Sequence, residues 1–155
     1  MELKVREMTQ EDIPTVYEIN LKSFTTDAWS RESIEREFQL PYSLRFVLEA
    51  DSRVIGYAIL WLISGEAFIM TFAVEPSYRN RGLGKLFLRE LIDKLRGKAS
   101  VIQLDVRKTN LKAIRLYRSL GFKVVREREE FYSDGESALV MELKLADNGS
   151  CSKAQ

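Results

Sequence analysis

The sequence predicts a mixed α/β domain with a central, mostly antiparallel sheet flanked by about four helices. Three observations lead there. Three β-rich stretches follow one another between residues 44 and 74 with only short turns between them, as antiparallel neighbours do. Residues 83–95 place Leu83, Leu86, Phe87, Leu91, Ile92 and Leu95 on one helical face and Arg89, Glu90, Asp93 and Lys94 on the other, so one side must be covered. The elements run β-α-α-β-β-β-α-β-α-β-β without repeat or long linker, which fits one domain in 155 residues.

Leu3-Lys4-Val5-Arg6 reads as the first strand. Thr9 then caps a helix, with Asp12 three residues on, Pro14 tolerated in the first turn, and Ile13, Val16, Tyr17, Ile19 and Leu21 at roughly helical spacing. A second helix starts at Ser30, uses Ile34 and Phe38, and stops before Pro41. The three strands are Leu44–Glu49, Val54–Ile63 and Ala67–Val74, turned by Asp51-Ser52-Arg53 and by Gly65. After the amphipathic helix comes a strand at Val101–Val106, then a helix at Asn110–Leu120 closed by Gly121. Strands Phe122–Glu127 and Ala138–Leu145 enclose a turn at Ser133-Asp134-Gly135. The domain is expected to span residues 1–145, with 146–155 a polar, disordered tail.

The charge balance, 24 basic against 23 acidic residues, exerts no global pull on nucleic acid or an anionic membrane. The single cysteine, Cys151, excludes an intramolecular disulfide. Neither the N-terminus nor the apolar run Tyr57–Ile63 has the length of a signal peptide core or a membrane span, so the cytoplasm is the expected location. There is no histidine, which removes the commonest general base and metal ligand together. Chemistry here must run on carboxylates, tyrosine, backbone amides or water, and no metal is expected.

The segment from Val74 to Lys85 runs from a strand end through Arg79, Asn80 and Arg81 to a helix N-terminus. Gly82 and Gly84 allow a turn and close approach, and the first-turn amides of the following helix can face an anion. The plain alternative is a basic, solvated turn. A dinucleotide fingerprint would need a small third residue where Phe87 stands, and a nucleoside-triphosphate loop would need Ser or Thr after Lys85, where Leu86 stands.

Arg79-x-x-Gly82-x-Gly84 after Phe72-Ala73-Val74 resembles the coenzyme A loop of the GNAT acyltransferases. Leu104 to Asn110, Ala113-Ile114-Arg115-Leu116-Tyr117 and Leu120-Gly121-Phe122 are similar to the rest of that signature. More narrowly, Phe24-Thr25-Thr26-Asp27-Ala28-Trp29-Ser30 and the hairpin Phe131 to Ala138 resemble the RimI-type (ribosomal-protein alanine) and archaeal N-terminal acetyltransferases. The resemblance covers residues 2–145.

It implies a GNAT-like fold, acetyl-coenzyme A as donor and direct transfer to the α-amine of a protein, ribosomal proteins among them. It implies that Phe72, Ala73 and Val74 pair with the pantetheine arm through their main chain, although Phe72 and Val74 also suit a plain core strand. Arg79, Asn80, Arg81, Gly82, Leu83, Gly84 and Lys85 would take the pyrophosphate. Asn110 would orient the cofactor, though asparagine is also a ready helix cap.

The family's glutamate base corresponds here to Asp105, one methylene shorter and better suited to act through a water. Strand alternation puts Asp105 with Val101 and Gln103, opposite Ile102, Leu104 and Val106, where it could instead pair with Arg107 or Lys108. Tyr117 corresponds to the general acid, against the alternative of a satisfied core aromatic. Phe24, Trp29 and Tyr132 would line the peptide groove, or else cover the edge of the core.

Amine basicity separates substrates. With a reference pKa near 8, roughly a tenth of a terminal amine is neutral at pH 7, against about one in a few thousand for lysine, so a terminal amine needs only a weak base. Acetylation of lysine or of a small amine, and a non-catalytic acyl-coenzyme A-binding module, are the competing readings.

Overall fold

A continuous run of buried residues, Ile55 to Leu60, makes β3 (Arg53–Ile63) a central strand covered on both sides. The computed structural model describes residues 1–145, so the tail at 146–155 and Cys151 lie outside the described residues. The strands are β1 (Leu3–Glu7), β2 (Ser43–Ala50), β3, β4 (Glu66–Val74), β5 (Val101–Arg107), β6 (Lys123–Arg128) and β7 (Ala138–Lys144). They form one sheet in the order β1-β2-β3-β4-β5-β7-β6. β1 with β2, β2 with β3, β5 with β7 and β6 with β7 are antiparallel, whereas β4 and β5 are parallel. The helices are α1 (Ile13–Ser23), α2 (Arg31–Glu37), α3 (Leu83–Leu95) and α4 (Leu111–Ser119). The mostly antiparallel α/β class and the four helices are those expected.

The described residues divide into two compact units, Met1–Trp61 with Met70–Glu90, and Leu62–Ile69 with Leu91–Leu145. In the first, Met8, Ile13, Val16, Ile19, Ile34, Val47, Tyr57, Ile59 and Ala73 form a core. Here the helical stripe differs from the expected one: Leu21 is exposed and Asn20 is wholly buried. Asn20 falls one turn beyond Val16 on the inward face, and its burial is compensated by hydrogen bonds described below. The capped start at Thr9 is a 3₁₀ turn, Gln10–Asp12, before α1 proper. The Asp12 carboxylate accepts the Thr9 N–H (2.8 Å) and two bonds from the Arg6 guanidinium (2.8 and 2.9 Å), and Glu49 accepts from Arg6 Nε (2.6 Å). That network ties β1, β2 and the helix start together.

In the second unit, burial alternates along β5: Ile102, Leu104 and Val106 are buried, while Asp105 is exposed between them. This is the alternation the sequence predicts. What it does not predict is that β7 inserts between β5 and β6, giving the register Asp105↔Val140 and Arg107↔Ala138 on one side and Arg126↔Val140 and Arg128↔Ala138 on the other. Pairing of β4 with β5 runs only from Glu66↔Val101 to Ile69↔Leu104, although β4 continues to Val74 and β5 to Arg107.

Candidate active site

The basic loop lies in the first unit. Glu75 opens it, accepting the Ser77 N–H (2.7 Å) and hydroxyl (2.6 Å) and an ion pair from Lys22 (2.8 Å). The Lys22 ammonium and the Ser77 donors lower the Glu75 carboxyl to about 2. Arg79 is committed to the scaffold: its Nε donates to the Val74 carbonyl (3.0 Å) and its Nη2 to the Ser23 hydroxyl (2.9 Å). It thereby fixes the loop against the ends of β4 and α1. Arg81 lies over the Tyr78 ring (5.3 Å), and Asn80 takes a left-handed φ of 65°.

Gly82 has φ of 76°, and a Cβ built there would meet nothing within 4 Å, so the backbone is exposed to whatever approaches. The first helical bond of α3 runs from the Leu86 N–H to the Gly82 carbonyl (3.1 Å). The amides of Leu83, Gly84 and Lys85 therefore precede any intrahelical acceptor and, with the helix dipole, make an anion-binding turn. The donor set fits a pyrophosphate. Upstream, Phe72 is half-buried with its ring 5.5 Å from Phe87, while Ala73 and Val74 are buried.

In the second unit, Asp105 sits near the end of β5. Its Oδ1 accepts from Arg128 Nε at 3.4 Å, with both side chains about one-third exposed. Neither Arg107 nor Lys108, the partners considered from sequence, takes it: Arg107 pairs with Asp134 and Glu136, and Lys108 with Glu127. Arg128 is the last residue of the bulged strand β6, beyond α4, and no local spacing pointed to it.

Asn110 caps α4, its side-chain oxygen accepting the Ala113 N–H (3.2 Å). Tyr117 lies in the last turn of α4, its ring 5.7 Å from that of buried Phe122. Its carbonyl accepts the Leu120 and Phe122 amides as Gly121 reverses the chain at φ of 103°. Burial, with a smaller contribution from Tyr132, pushes the Tyr117 phenol up to about 12. It keeps its proton well above neutral pH and can serve as a donor.

The loop from β6 to β7 brings Tyr132 to this cluster, and Arg107 is its support. The guanidinium lies 4.1 Å from the Tyr132 ring centroid and donates to Asp134 (2.8 Å) and Glu136 (2.7 Å). Glu136 also accepts the Thr109 N–H (2.9 Å) and hydroxyl, and these donors lower its carboxyl to about 2. The connection between β5 and α4 is thus laced to the loop that carries Tyr132. Sequence reasoning missed Arg107 and Glu136 as supports, although Asp134-Gly135 signalled the turn, where Gly135 has φ of 90°.

Phe24 and Trp29 pack, partly buried, against the core of the first unit. Asn20 holds the Trp29 backbone with two bonds, Nδ2 to the Trp29 carbonyl (2.8 Å) and Oδ1 from the Trp29 N–H (2.9 Å). Among the described residues no cluster of His, Cys, Asp or Glu could hold a metal, and no helix is long and apolar enough to cross a membrane.

The model of the acetyltransferase (GNAT) family matches residues 13–122. The ribosomal protein bS18-alanine N-acetyltransferase of Escherichia coli is 35% identical over 140 residues, covering 87% of this chain and 93% of the relative. The crystal structure of the ribosomal-protein-S18-alanine N-acetyltransferase from E. coli superposes with a TM-score of 0.86 at 31% identity, over 96% of this chain and 97% of the other. That of Ard1 from Thermoplasma volcanium superposes with a TM-score of 0.87 at 28% identity, over 94% and 99%. With its family model matched over residues 13–122 and a relative 35% identical over most of both chains, this chain belongs to the acetyltransferase (GNAT) family.

Proposed function

We propose that this acetyltransferase moves an acetyl group from acetyl-coenzyme A directly to the α-amine of a protein N-terminus, with ribosomal or nascent proteins as substrates. The observation that carries the reading is the Tyr117 phenol, packed 5.7 Å from the Phe122 ring at the end of α4, in the same unit as the partly exposed carboxylate of Asp105 at the end of β5. Similarity over most of both chains to a relative named as a ribosomal protein bS18-alanine N-acetyltransferase supports it.

Acetyl-coenzyme A supplies an activated thioester. The residues suited to hold its pyrophosphate are the α3 amides behind Gly82, with Arg81 and Lys85 as nearby cations and Arg79 and Asn80 shaping the turn. The edge of β4 at Phe72, Ala73 and Val74, past the end of its pairing with β5, suits main-chain pairing with an extended arm. Asn110 orients from the cap of α4.

Asp105 accepts the proton of the attacking amine, through a water where the shorter side chain falls short. Tyr117 gives its hydroxyl proton to the departing sulfur; Tyr132 in the second unit, and Phe24 and Trp29 in the first, are the residues assigned to peptide contact. The weak base is sufficient because an α-amine is already partly neutral at pH 7. A lysine amine, almost wholly protonated at pH 7, would demand far more of the same carboxylate.

The test is a peptide panel beginning Met, Ser, Ala or Met-Glu, each with a free or blocked terminus and an internal lysine. Free termini are expected to consume acetyl-coenzyme A and blocked ones not. Equal turnover of blocked lysine peptides would replace this reading with lysine acetylation.

A further inference from the structure

We propose that Asn20 is a positioning residue for the peptide substrate: it pins both ends of the segment from Phe24 to Trp29 and so sets the peptide KM. This role rests on the reading that the segment contacts the peptide.

Asparagine is a poor choice for the buried face of a helix, where its neighbours Val16 and Ile19 are apolar. Asn20 is nevertheless fully buried. An amide placed there costs stability unless its polar atoms are bonded, and they are. Nδ2 donates to the Trp29 carbonyl (2.8 Å), and Oδ1 accepts the Trp29 N–H (2.9 Å). Trp29 lies outside any helix or strand, so the side chain stands in for a neighbouring strand and satisfies both backbone groups at once. The other end of the segment comes to the same residue. The Phe24 N–H donates to the main-chain carbonyl of Asn20 (3.1 Å). The whole loop from Phe24 to Trp29 is thus closed on one residue.

The amide is itself held in one orientation. Tyr57 Oη donates to Asn20 Oδ1 (3.4 Å) and shares a bond with Thr71 Oγ1 (2.9 Å). A phenol has one proton, so with Tyr57 donating to Asn20 the Thr71 hydroxyl donates to Tyr57. That order keeps Oδ1 an acceptor and Nδ2 a donor, as the Trp29 N–H and carbonyl require. Burial raises the Tyr57 phenol above its ordinary range, so it stays a donor. Tyr57 belongs to β3 and Thr71 to β4, which references the loop to two strands of the sheet.

Between the pinned ends Thr25 and Thr26 are exposed, while Phe24 and Trp29 rest partly buried on the core. Leucine branches at the same atom as asparagine and would suit the apolar face without any partner, so the amide acts for the loop and not for the core. A peptide that settles on this segment meets a wall already ordered. An unpinned wall would have to be ordered at every binding event, a cost that falls on KM and not on the chemical step.

The experiment is steady-state kinetics on Asn20→Leu, Tyr57→Phe and Phe24→Ala, with an Ala-starting, free-terminus peptide as the varied substrate. Calorimetry of coenzyme A and amide exchange at Trp29 accompany it. In Asn20→Leu the Trp29 amide should lose protection while amides of β3 keep theirs. Peptide KM should rise about tenfold, the scale of re-ordering one or two side chains on binding, with kcat and coenzyme A affinity held within about twofold. Tyr57→Phe removes only the hydroxyl that orients the amide, so KM should rise by about twofold to threefold. A folded Asn20→Leu protein with wild-type peptide KM would overturn the proposal, as would protection at Trp29 that survives the substitution. Should Asn20→Leu fail to fold, Tyr57→Phe decides, and an unchanged peptide KM there overturns the proposal. Phe24→Ala separates this failure from that of the reading beneath it. A raised KM in Phe24→Ala with none in Asn20→Leu refutes the positioning role alone, whereas no change in either removes the segment from the peptide site and the role with it.

Discussion

A phenol that keeps its proton until about 12 is a better reservoir than one that begins to lose it near 10, and at Tyr117 burial makes the difference. Removing only the hydroxyl, Tyr117→Phe, leaves the packing on Phe122 in place. General acid–base contributions run from about a hundredfold upward, so kcat should fall at least about tenfold with KM for acetyl-coenzyme A little changed. In the wild type the rate should rise as the substrate amine deprotonates and show no falling limb near pH 10, because a raised pKa keeps the donor protonated through that range. A pH–rate profile checks the second expectation, and an enzyme with full kcat after Tyr117→Phe would discard the acid. Arg107 acts one step removed. Arg107→Met releases Asp134, Glu136 and the Tyr132 ring together, so peptide KM should rise severalfold while kcat and coenzyme A affinity hold, and Arg107→Lys should restore part of the loss. Steady-state kinetics with peptide as the varied substrate reads that split.

At the scale of elements, the turn ahead of α3 carries the cofactor assignment. Gly82 sits at φ of 76° with open space where a side chain would project. Gly82→Trp therefore costs on the order of 1 kcal/mol of backbone strain without colliding with the protein, and the variant should fold. It should nevertheless lose coenzyme A binding in calorimetry, since the side chain would occupy the ground above the α3 amides. Unchanged affinity would move the site elsewhere, and NAD or ATP should give no comparable thermal shift to the wild type. This turn was legible because its signal is local: two glycines, cations and a helix start within a few residues. The same holds for the caps at Asn110 and Gly121 and for the alternation that exposes Asp105. Asn20 was not legible, because apolar spacing alone cannot reveal a polar side chain buried to hold the Trp29 backbone. The Asp105–Arg128 pair was not legible either, since it depends on which strand lies beside which.

For the molecule as a whole, the strand order decides what sequence can and cannot disclose. Class and helix number follow from periodicity, but the placement of β7 between β5 and β6 comes from long-range packing of Val140 and Met141, both fully buried. That insertion has a kinetic meaning. The pairing of β6 with β7 closes across one short connection, whereas the pairing of β5 with β7 spans α4 and the whole of β6. Loop-closure entropy therefore favours the hairpin first and β5 only afterwards. Pulse-labelled amide exchange during refolding should show protection of Lys123–Arg128 no later than that of Val101–Arg107. A partly folded protein can thus carry a finished β6–β7 hairpin before β7 has joined β5, so the loop that bears Tyr132 can form ahead of the strand that bears Asp105.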